Sequence, residues 1–481
     1  MRIRSHFLVA VVASLALCGC RDRASGPVVV SAIGAAPELR NPNLVPLDPP
    51  SALLAEATAQ GLVRFDRGGQ VEPALAQSWI VSDDGLRYTF RIARTKWSGG
   101  SNVTAKQVEA RLKASLGRSS KNPLKPLMGA VVDIQAMTES VLEIALRAPR
   151  PNFLQLLAQP EMAVIRNNEG TGPYRSEKRP DGSLLLEPAE EDELEAEGAA
   201  ERAIVLRGEP AALAVARFRK GLAHLVTGGS AGNLPIAQAA GLPGGVLRFD
   251  PTGGLFGLLF LHDRGPLADA DIRGALSMSI DRAALVAALG VPDLAGRESL
   301  LPTGIDELPN PALPDWSAQP LPARRAIAAR AVAALPAPVT LRVAVPAAPG
   351  YRLVFAHLKR DWRQIGINAE PVASTAEADL GLVDAVAAAN LSTWYLRRFS
   401  CSANAICSAE ADALLDSARN AATAPDRHAM LIAADRALTD ITPFIPLTAP
   451  VRWSLVSPRL TGYQANPFAR HFVGGLIAAP R

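Results

Sequence analysis

The chain has 481 residues, too many for one ordinary domain and enough to bury two or three substantial cores. Hydrophobic residues make up 48% and charged residues 20%, the balance of a globular chain rather than a disordered or fibrous one. The 50 basic and 46 acidic residues nearly cancel, and the arginines are scattered rather than blocked, which excludes a nucleic-acid footprint.

At the amino end, Arg2 and Arg4 precede an apolar stretch from Phe7 to Leu17. That stretch is too short to span a bilayer and reads as a secretory signal. It runs into Leu17-Cys18-Gly19-Cys20, which is similar to a bacterial lipobox. Residues 1–19 are therefore expected to leave as a signal peptide, with Cys20 carrying lipid and residues 20–27 forming a tether. Plain secretion with cleavage nearby is the alternative. Later in the chain no segment is long and apolar enough for a membrane helix, and GGLFGLLFL at 253–261 reads as a buried strand. Once Cys18 is removed and Cys20 acylated, Cys401 and Cys407 remain, and outside the cytoplasm that pair favours a small disulfide loop. The six histidines, at 6, 224, 262, 357, 428 and 471, are dispersed, with no HExxH or CxxC, so neither a metal nor a cofactor is expected.

In chain order, VVVSAI at 28–33 reads as a strand, followed by the Pro-rich loop PELRNPNLVPLDPP at 37–50. SALLAEATAQGLVRF has helical spacing, and SDDG at 82–85 marks a turn before the alternating strand LRYTFRI. Thr104 is a candidate N-cap for the helix AKQVEARLKASL. The acidic stretch EPAEEDELEAEGAAE at 187–201 reads as a solvated loop or short helix. Asp269 or Asp271 is expected to open one long helix, IRGALSMSIDRAALVAAL, and a Pro/Ala-rich connector covers about 302–338. VTLRVAVP and INAEPVA read as strands around the amphipathic helix YRLVFAHLKRDWRQIG. Two more helices across 410–440 precede a strand-like FIPLTAPVRWSLV. Strands and helices alternate in both halves, which predicts an α/β protein of two lobes.

One string suggests catalysis. Gly228-Gly229-Ser230-Ala231-Gly232 contains Gly-x-Ser-x-Gly, the pattern of a nucleophile elbow. A hydrolase also needs an acid and a histidine in reach, and none of the later histidines sits in a recognisable partner motif. Small residues in a tight turn have a simpler explanation, since glycine is favoured where backbones approach closely.

Several ordered stretches resemble the oligopeptide/dipeptide/nickel-binding proteins of bacterial ABC importers, extracellular solute-binding family 5. PELRNP at 37–42 sits where the family carries Pro-x-x-Leu-Asp-Pro, and residues 72–108 follow its longest signature. GTGPY at 170–174 matches a second and GPLADADIRGALSMSIDRAALV at 265–286 a third. DWRQIGINAEPV and TPFIPLTAPVRWSLVSPRLTG match the later lobe and its return. The resemblance implies a two-lobed periplasmic-binding-protein fold, with hinge crossings and a ligand cleft between the lobes. Its boundaries would be 28–250 plus 445–481 for lobe one, with an inserted subdomain at about 50–165, and 251–444 for lobe two. It also implies a monomer in the periplasm or cell envelope, held to the membrane by its lipid alone. The protein would capture a small ligand, with peptide foremost, and deliver it to an ABC permease and ATPase complex without making or breaking bonds. Residues 218–234 align with a family stretch that has no catalysis, so Ser230 falls in a strand-to-helix turn there.

Peptide binders of the family hold the ligand's amine with an acid from a Trp-x-x-Asp-Tyr-x-Asp-Pro stretch, which is absent from ADLGLVDAVAAANLSTWYLRRFSC at 378–401. Asp384 lies nearest in position, Trp394 and Tyr395 are candidate pocket walls, and Arg397 or Arg398 could face a carboxylate. Each also has an ordinary reading as a capping, core or solvated residue. By resemblance, Pro37 to Asn41 and the loop after Leu116 border the cleft. Six Trp, five Tyr and thirteen Phe leave few stacking platforms, so nickel complexes, opines and sugars remain alternatives as cargo. Two other functions stay open: a degenerate relative acting as an envelope interaction or sensory module, and an exported serine hydrolase using Ser230.

Overall fold

The computed structural model describes residues 26–150, 152–189, 202–305, 308–421 and 423–479. The expected signal peptide, Cys20 and most of the tether lie outside the described residues, as does the acidic stretch from 190 onward.

The β-branched run Val28–Ile33 forms a strand with an almost wholly buried centre. It pairs in parallel with Ile204–Glu209 on one side and Leu225–Ser230 on the other. Antiparallel strands extend this into a seven-stranded sheet, with Arg452–Val456 and Leu247–Phe249 at one end and Leu184–Pro188 and Tyr174–Lys178 at the other. A second sheet has five strands in the spatial order Ile367–Val372, Val339–Ala344, Leu380–Val386, Gly254–Phe260 and Phe444–Thr448. The apolar run at 254–260 sits inside this sheet and pairs on both edges, which is why it shows no alternation. A separate four-stranded sheet holds Ala76–Val81, Arg87–Ile92, Val141–Leu146 and Val131–Ala136.

The chain passes from the first sheet to the second between Phe249 and Gly254, and returns between Thr448 and Arg452. The stretch FIPLTAPVRWSLV is therefore two strands on two different sheets. The crossings are tied together by the Thr252 hydroxyl, which donates to the Pro450 carbonyl at 2.5 Å. Gly254 is required at this passage, because a Cβ there would lie 2.1 Å from the Ala385 carbonyl oxygen.

Three local expectations need correction. The helix expected from Ser51 spans Pro49–Thr58 only, and Gly61 is followed by the short strand Val63–Phe65. The long helix after Asp269 is two helices, Ala270–Met278 and Arg282–Leu289. The Asp281 side chain accepts from the Ala284 amide and caps a new helix start in mid-sequence. The Pro/Ala-rich connector contains a helix, Leu321–Ala333. Its prolines sit before and in the first turn, where no intrahelical donor is lost, and the alanines and arginines that follow are strong helix formers.

One apolar core runs from the four-stranded sheet, through Phe90 and Trp97, into Trp394, Tyr395 and Phe399 beyond the second sheet. Another joins Trp453 and Leu455 of the first sheet to Phe256, Val343 and Trp362 of the second lobe. The two lobes are thus in contact. No helix among the described residues is long and apolar enough to cross a membrane.

Candidate ligand cleft

Between the two sheets lies a cavity of about 530 Å³, within the size range of small-molecule sites. The first lobe contributes Thr227, Gly228 and Gly229 from one strand end, Asp250 from the outgoing crossing, and Arg452 and Trp453 from the returning strand. The Pro-rich loop adds Pro46, Leu47 and Pro49, and the 468–471 loop adds Phe468, Arg470 and His471. Pro123, Leu124, Gln159 and Glu161 close one side. The second lobe supplies the strand end Asp384–Ala388, then Trp394 and Arg398.

The lobes touch through polar groups at the rim of this space. Arg452 Nη1 donates to Asp384 Oδ1 at 2.6 Å, an ion pair between the two sheets. The Tyr351 hydroxyl donates to Asp384 Oδ2 at 2.7 Å, and burial with this carboxylate beside it pushes the phenol pKa well above its ordinary value. Gln159 Nε2 donates to the Ala388 carbonyl, and Asn390 N–H to Gln155 Oε1 at 2.9 Å. The amide of Gly350, at the head of a second-lobe helix, donates to the Gly232 carbonyl at 2.8 Å.

The Gly-x-Ser-x-Gly string belongs to this interface. Gly229 packs on the Trp453 ring, where a Cβ would come within 2.2 Å, and a Cβ on Gly232 would meet the Tyr351 ring at 2.6 Å. Ser230 closes its strand, its amide donates to Asn233 Oδ1, and its carbonyl accepts from Trp453 Nε1. Its hydroxyl lies beside Tyr351. Close packing inside the first sheet at Gly229, and of the second lobe against Gly232, explains these small residues without catalysis.

The other expected site residues are distributed unevenly. Asp384 and Trp394 line the cavity together, and Trp394 meets Tyr395 edge-on at 4.8 Å. Tyr395 lies outside the lining; it is buried near Gly254, and that burial pushes its pKa up to about 12. Arg397 also lies outside, donating to the Leu415 carbonyl and to Asp416, because the helical turn sends adjacent residues in different directions. Its neighbour Arg398 faces the cavity, its guanidinium 4.4 Å from the Trp394 ring centre. Pro37 is buried and Asn41 exposed, both outside the lining, and the same loop reaches the cavity five residues later at Pro46. The loop after Leu116 reaches it at Pro123 and Leu124. Cys401 and Cys407 are joined by a disulfide on the second lobe. No group of three or more metal-ligating side chains occurs among the described residues.

Five charged residues of the lining, Glu161, Asp250, Arg452, Arg470 and His471, were not anticipated. Arg470 donates to Glu161 at 2.9 Å, and His471 Nε2 lies 3.1 Å from Asp250 Oδ2. Arg470 and His471 follow the returning strand and Glu161 lies in the inserted segment, with nothing local in sequence to link them. The only available signal was that Asp250 falls at the expected outgoing crossing.

A family model, "Bacterial extracellular solute-binding proteins, family 5 Middle", matches residues 70–401. The Escherichia coli nickel-binding periplasmic protein is 32% identical over 27% of this chain and 29% of its own length. The Escherichia coli glutathione-binding protein GsiB is 31% identical over 36% of each chain, so the matches span about a third of these relatives. Among solved structures, the Haemophilus influenzae OppA complex with RPPGFSPFR superposes with a TM-score of 0.82 at 18% identity, covering 94% of this chain and 99% of that one. With a family model that extends over most of its length and a two-lobed architecture around a central cleft, the chain belongs to the bacterial extracellular solute-binding proteins of family 5.

Proposed function

We propose that this protein is the substrate-binding lipoprotein of an ABC importer, capturing a short peptide by hinge closure and presenting it to a membrane permease. The observation that carries this reading is the cavity between the two sheets, lined from both lobes and bridged by the Arg452–Asp384 pair. A ligand touching both walls favours the closed state by its differential affinity for that state, and closure is what a permease can distinguish. Peptide cargo is supported by the cavity's size and its mixture of charged and aromatic groups, and by the peptide in the OppA complex. Periplasmic location and anchoring through Cys20 belong to the same reading, as does action without catalysis.

The test is native mass spectrometry of the mature protein without its lipid, purified gently from an exported preparation. Adducts matching a series of short peptides are expected. One defined non-peptide mass would change the cargo and keep the import reading. A bare protein that gains no thermal stability from peptide and metal-chelate panels would overturn capture. It would favour an envelope interaction or sensory module, a reading already encouraged by Asp384, whose two oxygens are both engaged within the protein. Ser230→Ala should leave ligand affinity unchanged. Loss of a hydrolytic activity in that variant would restore the enzyme reading.

A further inference from the structure

Two carboxyl groups of the first lobe share one guanidinium at the edge of the cleft. Arg470 Nη2 donates to Glu161 Oε1 at 2.9 Å, and Glu56, on the helix Pro49–Thr58, has the charges of Arg470 and Glu161 beside it. Glu56 and Arg470 line a side chamber of about 20 Å³, room for about one water. An ionised Glu56 finds little hydration there. Burial, and then the charge of Glu161, raise its pKa from 4.5 to about 7 against the opposing charges of Arg470 and His471. Arg64 shares the chamber but pairs with Glu72 at 2.7 Å, and His471 faces Asp250 at 3.1 Å. Tyr174, on the strand packed against this helix, is buried and stays neutral, its pKa raised by that burial, and the charged residues of its strand are exposed.

Arg470 also reaches the contact between the lobes. Its Nε donates to Gln159 Oε1 at 3.3 Å, and the buried Gln159 donates from Nε2 to the Ala388 carbonyl of the second lobe at 2.5 Å. A relay of side chains thus runs from Glu56 through Arg470 and Gln159 to the opposite lobe. While Glu56 carries its proton, Arg470 is shared between Glu161 and Gln159, and the Gln159 amide is held pointing across the cleft. When Glu56 ionises, a second carboxylate competes for the same guanidinium. The contact to Gln159 yields first, because it is the longer one and its acceptor carries no charge. A buried amide oxygen left without its donor is costly, so Gln159 turns away and its bond to Ala388 goes with it.

We infer that Glu56 is a positioning residue that couples lobe closure to protonation: acting through Arg470 and Gln159, its neutral form holds the cleft closed and its ionised form loosens it. This rests on hinge closure as the mode of capture and adds its regulation. By linkage the closed state binds this proton more tightly than the open one, so closure is fully supported at acid pH and weakens as pH rises through about 7. A difference of about one pKa unit between the two states changes their ratio about tenfold.

The experiment is small-angle scattering of the mature, unlipidated protein without ligand at pH 5 and pH 8. The wild type should have the larger radius of gyration at pH 8, and Glu56→Gln the smaller radius at both. Glu56→Asp, which keeps a carboxyl group, should restore part of the pH dependence. Gln159→Ala, which removes the far end of the relay, should have the larger radius at both pH values. A wild-type radius that does not change with pH would overturn the coupling, whether or not ligand adducts appear in mass spectrometry, which speak to capture alone. A pH response that persists in Glu56→Gln would move the proton to another group, His471 being nearest, and overturn the coupling as well. Should Glu56→Gln fail to fold, Gln159→Ala still decides, since a wild-type pH response in that variant excludes the relay.

Discussion

Asp384 is held by two hydrogen bonds to partners 33 and 68 residues away in sequence, and it carries the most direct link between the lobes. Its side chain is 8% exposed and that of Arg452 18%, so truncation leaves a largely desolvated guanidinium without a counter-charge. Asp384→Ala should weaken the closed state by roughly 2 kcal/mol, the low end for a buried charge pair because Arg452 keeps some solvent. Small-angle scattering should then show a larger radius of gyration in the unliganded variant, and an unchanged radius would show that the Arg452–Asp384 pair does not hold the lobes together. Glu56 offers a second test at this scale. Burial raises its pKa from 4.5 to about 7, opposed by the nearby Arg470. The folded protein therefore holds this proton more tightly than the unfolded chain. The group's contribution is complete below the unfolded pKa, near 4.5, and is lost as pH rises through about 7. Allowing for coupling to Arg470, stability should fall by about 2 kcal/mol from this group between those limits. Urea unfolding of Glu56→Gln at pH 5 and pH 8 should show a shallower decline than wild type, and identical slopes would reject the assignment.

Among the elements, the helix Ala105–Leu116 is the most fully specified by its own residues. Thr104 caps it, its Oγ1 accepting from the Gln107 amide while Gln107 Oε1 accepts from the Thr104 amide, a reciprocal capping box. The same Gln107 oxygen accepts from the indole N–H of buried Trp97, joining the cap to the core. Thr104→Ala should cost about 1 kcal/mol in denaturant titrations and leave ligand affinity untouched. A cap of this kind is legible because every partner lies within four residues. The break at Ser279–Ile280 was less legible, since the apolar spacing continues across it and only Asp281 marks the restart. The helix Leu321–Ala333 was hidden by its prolines, which read as loop until their place in the first turn is known. Arg397 and Arg398 show the same limit at the site, because which of two adjacent side chains faces a cavity depends on how a short helix is docked.

At the level of the molecule, closure depends on backbone reaching backbone. A Cβ on Gly350 would lie 1.9 Å from the Ala231 carbonyl oxygen of the opposite lobe. Gly350→Ala should keep both lobes folded yet hold them apart, lowering ligand affinity tenfold or more, which corresponds to about 1.4 kcal/mol. Calorimetry with a ligand found by mass spectrometry, together with scattering, would check this. Full affinity in the variant would show that the contact does not limit closure. The Gly-x-Ser-x-Gly string takes its meaning at this scale. As five residues it resembles a nucleophile elbow, and in the folded chain it is where Trp453 and Tyr351 approach.

The alternation of strands and helices, the Thr104 cap and the family were determined by the sequence alone, because they rest on local spacing and on motifs in a fixed order. The tertiary structure alone decided which charges neutralise one another. The pairs Arg452–Asp384, Arg470–Glu161 and His471–Asp250 join residues 68, 309 and 221 apart. Of these, only Arg452–Asp384 spans the two sheets, which are brought face to face by crossings at 250–253 and 449–451, while the other two pairs join distant stretches of the first lobe. The physical reason is that pairing of charges depends on distance in space and on exclusion of water, and neither is written in the spacing of residues along the chain.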